Sequence, residues 1–138
     1  MKVSLQKIGP IAFEATADSG HSVVMDGSPD NGGDNMGSRP MEMMLMGLGG
    51  CSGIDVALIL QKGRQQVSDC RIEIEGQRAD AVPAVFTDIH VHYTITGKQL
   101  DPKKVARAIS LSMEKYCSVT RMLEASVNIT HDFNIVEQ

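Results

Sequence analysis

Residues 41–60 read Met41-Glu-Met-Met-Leu-Met-Gly-Leu-Gly-Gly-Cys51-Ser-Gly-Ile-Asp55-Val-Ala-Leu-Ile-Leu60. The run has the length of a helix and is apolar on every side, yet it carries four glycines, Gly47, Gly49, Gly50 and Gly53, where a helix prefers alanine. Each mid-helix glycine costs about 1 kcal/mol. A segment that accepts several of them points to close approach by backbone or by a ligand, and a thiol, Cys51, sits at that spot. Pro40 suits the first helical turn and Gly63 the stop, so the reading is a helix from Pro40 to about residues 61–63. With no polar face, that helix must be enclosed by protein. Glu42, Asp55 and the glycines argue against a membrane span.

On the N-terminal side, residues 1–26 read as short strands around Val3-Leu5-Ile8, Ile11-Phe13 and Ser22–Met25. Residues 26–39 are rich in turn formers and offer nothing to bury, which reads as a long mobile surface loop. On the C-terminal side, Cys70, Ile72 and Ile74 alternate with Arg71, Glu73 and Glu75, and Ile89, Val91, Tyr93 and Ile95 alternate with His90, His92, Thr94 and Thr96. These are two half-buried strands, an antiparallel pair. Asp101-Pro102 is an N-cap followed by proline at the first helical position, and the Val105, Ile109, Met113 stripe carries that helix to Tyr116. A short helix from Ser118 to about Ala125 and a strand from Val127 to Ile135 follow. The order gives an α+β fold, an antiparallel sheet wrapped on a long central helix.

At 138 residues the chain is one domain, 1–138. Three Phe, two Tyr and no Trp give too little apolar mass to enclose the helix, so a homodimer is expected. The net charge of −4 with dispersed basic residues predicts no nucleic acid and no membrane as partner. The alternating N-terminus predicts no signal peptide and a cytoplasmic location. An odd count of three cysteines without Cys-x-x-Cys predicts thiols at rest and excludes thioredoxin-type and common zinc spacings.

Cys51 and Cys117, each followed by a serine, are candidates for a reactive pair. The alternative for Cys51 is a buried thiol behaving as a small hydrophobe. Asp55 lies one turn on along the same helix face, as a hydrogen-bond acceptor, a buried cap or a dimer contact. Cys117 stands at a helix junction near Lys115 and Arg121, where the N-terminal end of the next helix would favour a thiolate. Cys70, alternating with isoleucines, is read as core. His90-x-His92 could ligate a metal, but a solvated polar face is the better reading, and no metal or other cofactor is expected.

Arg39-Pro-Met-Glu-Met-Met-Leu-Met-Gly-Leu-Gly-Gly-Cys51-Ser-Gly-Ile-Asp55, Ile59-Leu-Gln-Lys-Gly-Arg64 and Leu111-Ser-Met-Glu-Lys-Tyr-Cys117-Ser-Val together resemble the OsmC/Ohr family, more closely its YhfA-like branch. The proline eleven residues before the first cysteine is the specific part. The resemblance implies an intertwined homodimer and a thiol-dependent peroxidase acting on small organic hydroperoxides, with Cys51 peroxidatic, Cys117 resolving and an external dithiol as reductant. Three departures stand out. Met41 replaces the glutamate that follows the proline in better-studied members, and Glu42, nine residues from Cys51, falls on the opposite side of a regular helix. Residues 1–27 hold no arginine where the family's thiolate-stabilising arginine lies, leaving Arg39 as the substitute. Ser118 stands where proline usually follows the second cysteine. The rival reading is a non-catalytic protein whose methionine-rich cleft holds a small apolar or electrophilic molecule, with Cys51 as contact or trap.

Overall fold

A computed structural model describes residues 1–138. The chain divides into two compact units, residues 1–44 and 45–138, each containing a three-stranded sheet. In the first, β1 (Val3–Lys7), β2 (Phe13–Ala17) and β3 (Ser22–Met25) pair antiparallel in sequence order. The segment after β3 differs from the open loop expected. Asp26, 3% exposed, accepts hydrogen bonds from the backbone N–H groups of Gly27 (2.7 Å), Asp34 (3.1 Å) and Met36 (3.1 Å). These donors, Met36 foremost, hold its carboxyl below the usual carboxylate range. A polar side chain thus supplies the centre that the loop's composition lacks, and a single 3-10 turn, Pro29–Asn31, lies within it.

Helix α1 runs from Pro40 to Lys62. Its end is a Schellman turn, with Gln65 N–H bonded to Leu60 O and Arg64 N–H to Gln61 O. The left-handed residue is Arg64 (φ 57°), one place after the glycine expected to stop the helix.

In the second unit, β4 (Gln66–Arg78) pairs antiparallel with β5 (Phe86–Lys98) in the register that opposes Ile72 to Tyr93 and Ile74 to Val91. The third strand, β6 (Asn128–Glu137), joins β5 in parallel, so this sheet is mixed where an antiparallel one was expected. The reason is the connection: the helical segment between β5 and β6 is a crossover that returns the chain to the same end of the sheet. The inward row Ile89, Val91, Tyr93 and Ile95 is buried, as are Leu48, Val56 and Leu60 of α1 and Val105, Ala108 and Ile109 of α2 (Pro102–Leu111). Each such aliphatic side chain contributes about 1.5–3 kcal/mol. Asp101 caps α2 by accepting the Lys103 N–H at 2.9 Å.

Glycines fix the spacing between α1 and β4. A methyl group on Gly49 would lie 2.7 Å from Ile74 Cδ1, and one on Gly53 2.9 Å from Ile72 Cδ1. Sheet side chains therefore make the close approach there, which the sequence left open between backbone and ligand.

The outer face of β5 and β6 carries a polar ladder. Asp132 Oδ1 is 2.9 Å from His90 Nε2 and 2.7 Å from His92 Nδ1, and Asn134 Oδ1 lies 2.8 Å from His92 Nε2. This is the solvated polar face expected of His90 and His92. The bond to Asp132 chiefly raises the His92 pKa, with Asn134 and Glu73 adding to it against desolvation, and the two histidines lower that of Asp132. A raised histidine adds stability below its unfolded pKa of about 6.5, lost as pH rises through the folded value; a lowered carboxylate adds stability above about 3.9, lost as pH falls. Both contributions coexist between about pH 4 and 6.5. The difference in thermal midpoint between wild type and Asp132→Asn is expected to be larger at pH 5.5 than at pH 8.5; a gap independent of pH would exclude this origin.

Candidate functional site

Cys51 lies in the middle of α1 and is half-buried. Gly47, one turn before it, and Gly50, immediately before it, have no atom within 4 Å of the position a methyl group would take. The four glycines thus serve two purposes. Gly49 and Gly53 receive the sheet, while Gly47 and Gly50 leave open space beside the thiol.

Cys117 reaches the same thiol from the other side of the sequence. The helix expected to continue to Tyr116 stops being α-helical at Leu111, and Ser112–Tyr116 form a π-helical turn closed by Cys117 N–H to Ser112 O at 2.8 Å. Such turns arise where a helix accommodates one extra residue, often at functional sites. Cys117 then acts as N-cap of α3 (Ser118–Leu123), its sulfur accepting the Thr120 N–H at 3.4 Å. Its thiol also lies close enough to that of Cys51 to be influenced by it. The helix end was expected to favour a thiolate. Burial instead pushes the Cys117 thiol up, the Thr120 bonds oppose that rise, and the neighbouring Cys51 adds to it. At neutral pH Cys117 is a thiol.

The second unit therefore brings Cys51 and Cys117 near one another, and both fall within residues 32–132, which match the OsmC-like protein family model. The chain belongs to the OsmC-like family. Protein YhfA of Escherichia coli strain K12 is 48% identical over 136 residues, which cover 99% of this chain and 98% of YhfA. A hypothetical protein of Aquifex aeolicus VF5 superposes with a TM-score of 0.88 at 31% identity, covering 99% of this chain and 96% of that one. The organic hydroperoxide resistance protein OhrB of Bacillus subtilis shares the fold at a TM-score of 0.63 and 20% identity, over 96% of each chain.

Beside the cysteine pair, this OsmC-like chain holds a hydrogen-bonded group that the sequence reading missed. Ser52 and Ser112 are wholly buried, and so is Tyr93. The Tyr93 hydroxyl meets Ser52 Oγ, Ser52 Oγ lies 2.8 Å from Ser112 Oγ, and Ser112 Oγ–H donates to Asp55 Oδ2 at 3.0 Å. Asp55 is thus an acceptor for a buried hydroxyl. Burial pushes the Tyr93 phenol up to about 12, so it stays a donor across the working pH range. The signal available in the sequence was three hydroxyls at inward positions of apolar segments, each of which needs a partner once buried.

The remaining candidates lie in the first unit. Glu42 Oε1 accepts the Arg39 N–H at 2.8 Å, the reciprocal half of a capping box at the start of α1. The Arg39 guanidinium donates to Gly37 O at 2.9 Å and helps to lower the Asp26 pKa. In the second unit, Cys70 is half-buried on β4, its thiol raised by burial and by Asp69.

Ser52→Ala would leave the buried Tyr93 hydroxyl without its hydrogen-bond partner, a loss of about 1–3 kcal/mol, whereas Tyr93→Phe removes the hydroxyl and its need together. Urea unfolding is expected to place Ser52→Ala below Tyr93→Phe in stability; the reverse order would mean that the phenol finds another partner.

Proposed function

We propose that this chain is a thiol-dependent peroxidase that reduces organic hydroperoxides, with Cys51 as the peroxidatic and Cys117 as the resolving residue. The observation that carries the reading is the proximity of the two thiols, close enough for Cys51 to raise the Cys117 pKa although their segments lie far apart in sequence. The Cys51 thiolate attacks the outer oxygen of the hydroperoxide; the O–O bond breaks, an alkoxide leaves and takes up a proton as the alcohol, and Cys51 becomes a sulfenic acid. Cys117 then attacks that sulfur, the S–O bond breaks, and hydroxide leaves with the Cys117 proton as water. An external dithiol reduces the disulfide and is itself oxidised. No metal or other cofactor enters this cycle. The partial exposure of Cys51 supports access for a small substrate. A fold relative named for organic hydroperoxide resistance supports the substrate class.

The same reading makes the protein a homodimer, the whole chain 1–138 acting as one OsmC-like domain in each copy. Met46, Ile54 and Leu58 of α1 remain exposed in the single chain, Ile54 at 64%, as do Val3 and Leu5 of β1. A helix apolar on all faces and covered by its own chain along one stripe calls for a second copy to cover the rest. α1 is the one helix long and apolar enough to cross a membrane, and its buried row Leu48, Ser52, Val56 and Leu60 supports a core position instead. Light scattering at micromolar concentration is expected to return twice the 14.9 kDa chain mass; a folded monomer would contradict it.

One equivalent of an aryl hydroperoxide is expected to yield an intramolecular Cys51–Cys117 disulfide by peptide mapping. It should react with Cys51 faster than hydrogen peroxide does, because each buried CH₂ adds about 0.8 kcal/mol. Two such groups in the transition state amount to about tenfold. Equal rate constants, or rates no higher than those of a free thiolate, would favour the rival reading of a binding protein whose Cys51 is a contact or a covalent trap.

A further inference from the structure

Two ties join α1 to the segment that follows α2. At one, the Cys51 thiol lies close enough to that of Cys117 to influence it. One turn along α1, Asp55 Oδ2 receives the Ser112 hydroxyl at 3.0 Å. Ser112 takes part in both, because its carbonyl oxygen also accepts the Cys117 N–H at 2.8 Å.

The spacing explains the π turn. Four residues separate the two contacts on α1, Cys51 to Asp55, but five separate them on the facing segment, Ser112 to Cys117. On a regular α-helix at about 100° per residue, a residue five places on points about 140° away from the first. Tyr116 would then share the face of Ser112. The wider π turn carries the fifth residue round instead: Tyr116 is 51% exposed and Cys117 2%.

The proton on Ser112 is the link between the network and Asp55. Ser112 has one hydroxyl proton, and the Asp55 carboxylate is a stronger acceptor for it than the Ser52 hydroxyl. Ser112 Oγ–H also lies within reach of Ser52 Oγ, at 2.8 Å, and the Ser52 and Tyr93 hydroxyls share a hydrogen bond. The three buried hydroxyls form one connected chain that ends on Asp55.

We propose that Asp55 is a positioning residue for disulfide formation: through Ser112 it holds the π turn, and the turn holds the Cys117 thiol in register with Cys51. The proposal rests on the reading of these two cysteines as a redox pair. In the step it serves, Cys117 sulfur bonds to the oxidised Cys51 sulfur, the S–O bond breaks, and water carries away the hydroxide and the thiol proton.

The test measures the effective concentration of Cys117 at Cys51, as the equilibrium between dithiol and disulfide in a glutathione redox buffer. Alongside it, the iodoacetamide alkylation rate of Cys51 is measured in a Cys117→Ser background. Asp55→Ala and Ser112→Ala are expected to lower the effective concentration tenfold or more. Asp55→Asn, which keeps an acceptor oxygen, should recover most of it, and the alkylation rate should change less than twofold. Wild-type closure in Ser112→Ala, or a loss in Asp55→Ala that Asp55→Asn does not recover, would overturn the proposal. Ser112→Ala removes a single atom and decides the matter if Asp55→Ala does not fold. A wild-type protein that forms no Cys51–Cys117 disulfide in this buffer would defeat the redox-pair reading itself, whereas equal closure in all variants defeats only the clamp.

Discussion

The side chains of Ile72 and Ile74 enter two notches on α1 where Gly49 and Gly53 have no side chain, and the rest of the second unit depends on that approach. Tyr93 is the cross-strand partner of Ile72, so the depth at which Ile72 seats against Gly53 also sets how far Tyr93 reaches toward the helix. Its hydroxyl ends on Ser52, the residue next to Gly53 and next to Cys51. An alanine at either notch would bring its methyl group within 3 Å of an isoleucine carbon and force the sheet or the side chain to move. Glycines that cost the helix intrinsic stability are thus offset by sheet packing, and the same packing locates the polar group beside the thiol.

The two cysteines differ in how the fold treats them. Cys51 is carried by a regular helix, with open space one turn away at Gly47. Cys117 is carried by an irregular junction, where a π turn ends and a short helix begins. Burial and the helix cap pull the Cys117 thiol in opposite directions, and burial wins because the buried site penalises the charged form more than the side-chain and backbone bonds of Thr120 favour it. A protonated, buried thiol held against a more accessible one suits a division of labour in which Cys51 meets the outside reagent and Cys117 responds afterwards.

Elsewhere the polar chemistry is structural. Asp26 organises its loop through three backbone donors, and Glu42 caps α1. The histidines of β5 are engaged by Asp132 and Asn134 across the parallel β5–β6 pair. Each satisfies groups that would otherwise go unpaired at a loop, a helix end or a sheet face.

Local pattern made much of this legible. Period-two alternation located β4 and β5 and assigned Tyr93 inward, Asp101-Pro102 marked the start of α2, and Pro40 with the apolar run located α1 and the thiol within it. The quoted stretches around Cys51 and Cys117 carried the family. These signals lie within a few residues of one another, where propensity and side-chain period act directly. What only the tertiary structure decided are relations between distant segments. They include the parallel entry of β6, the isoleucines that fill the glycine notches, the buried Asp26 that organises a turn-rich loop, and the Ser52, Tyr93, Ser112 and Asp55 chain. The π turn belongs with them, because its extra residue answers the spacing of contacts on a helix about 60 residues away in sequence. No local propensity encodes that spacing, since it exists only once α1 and the facing segment have packed and each buried hydroxyl has found its acceptor.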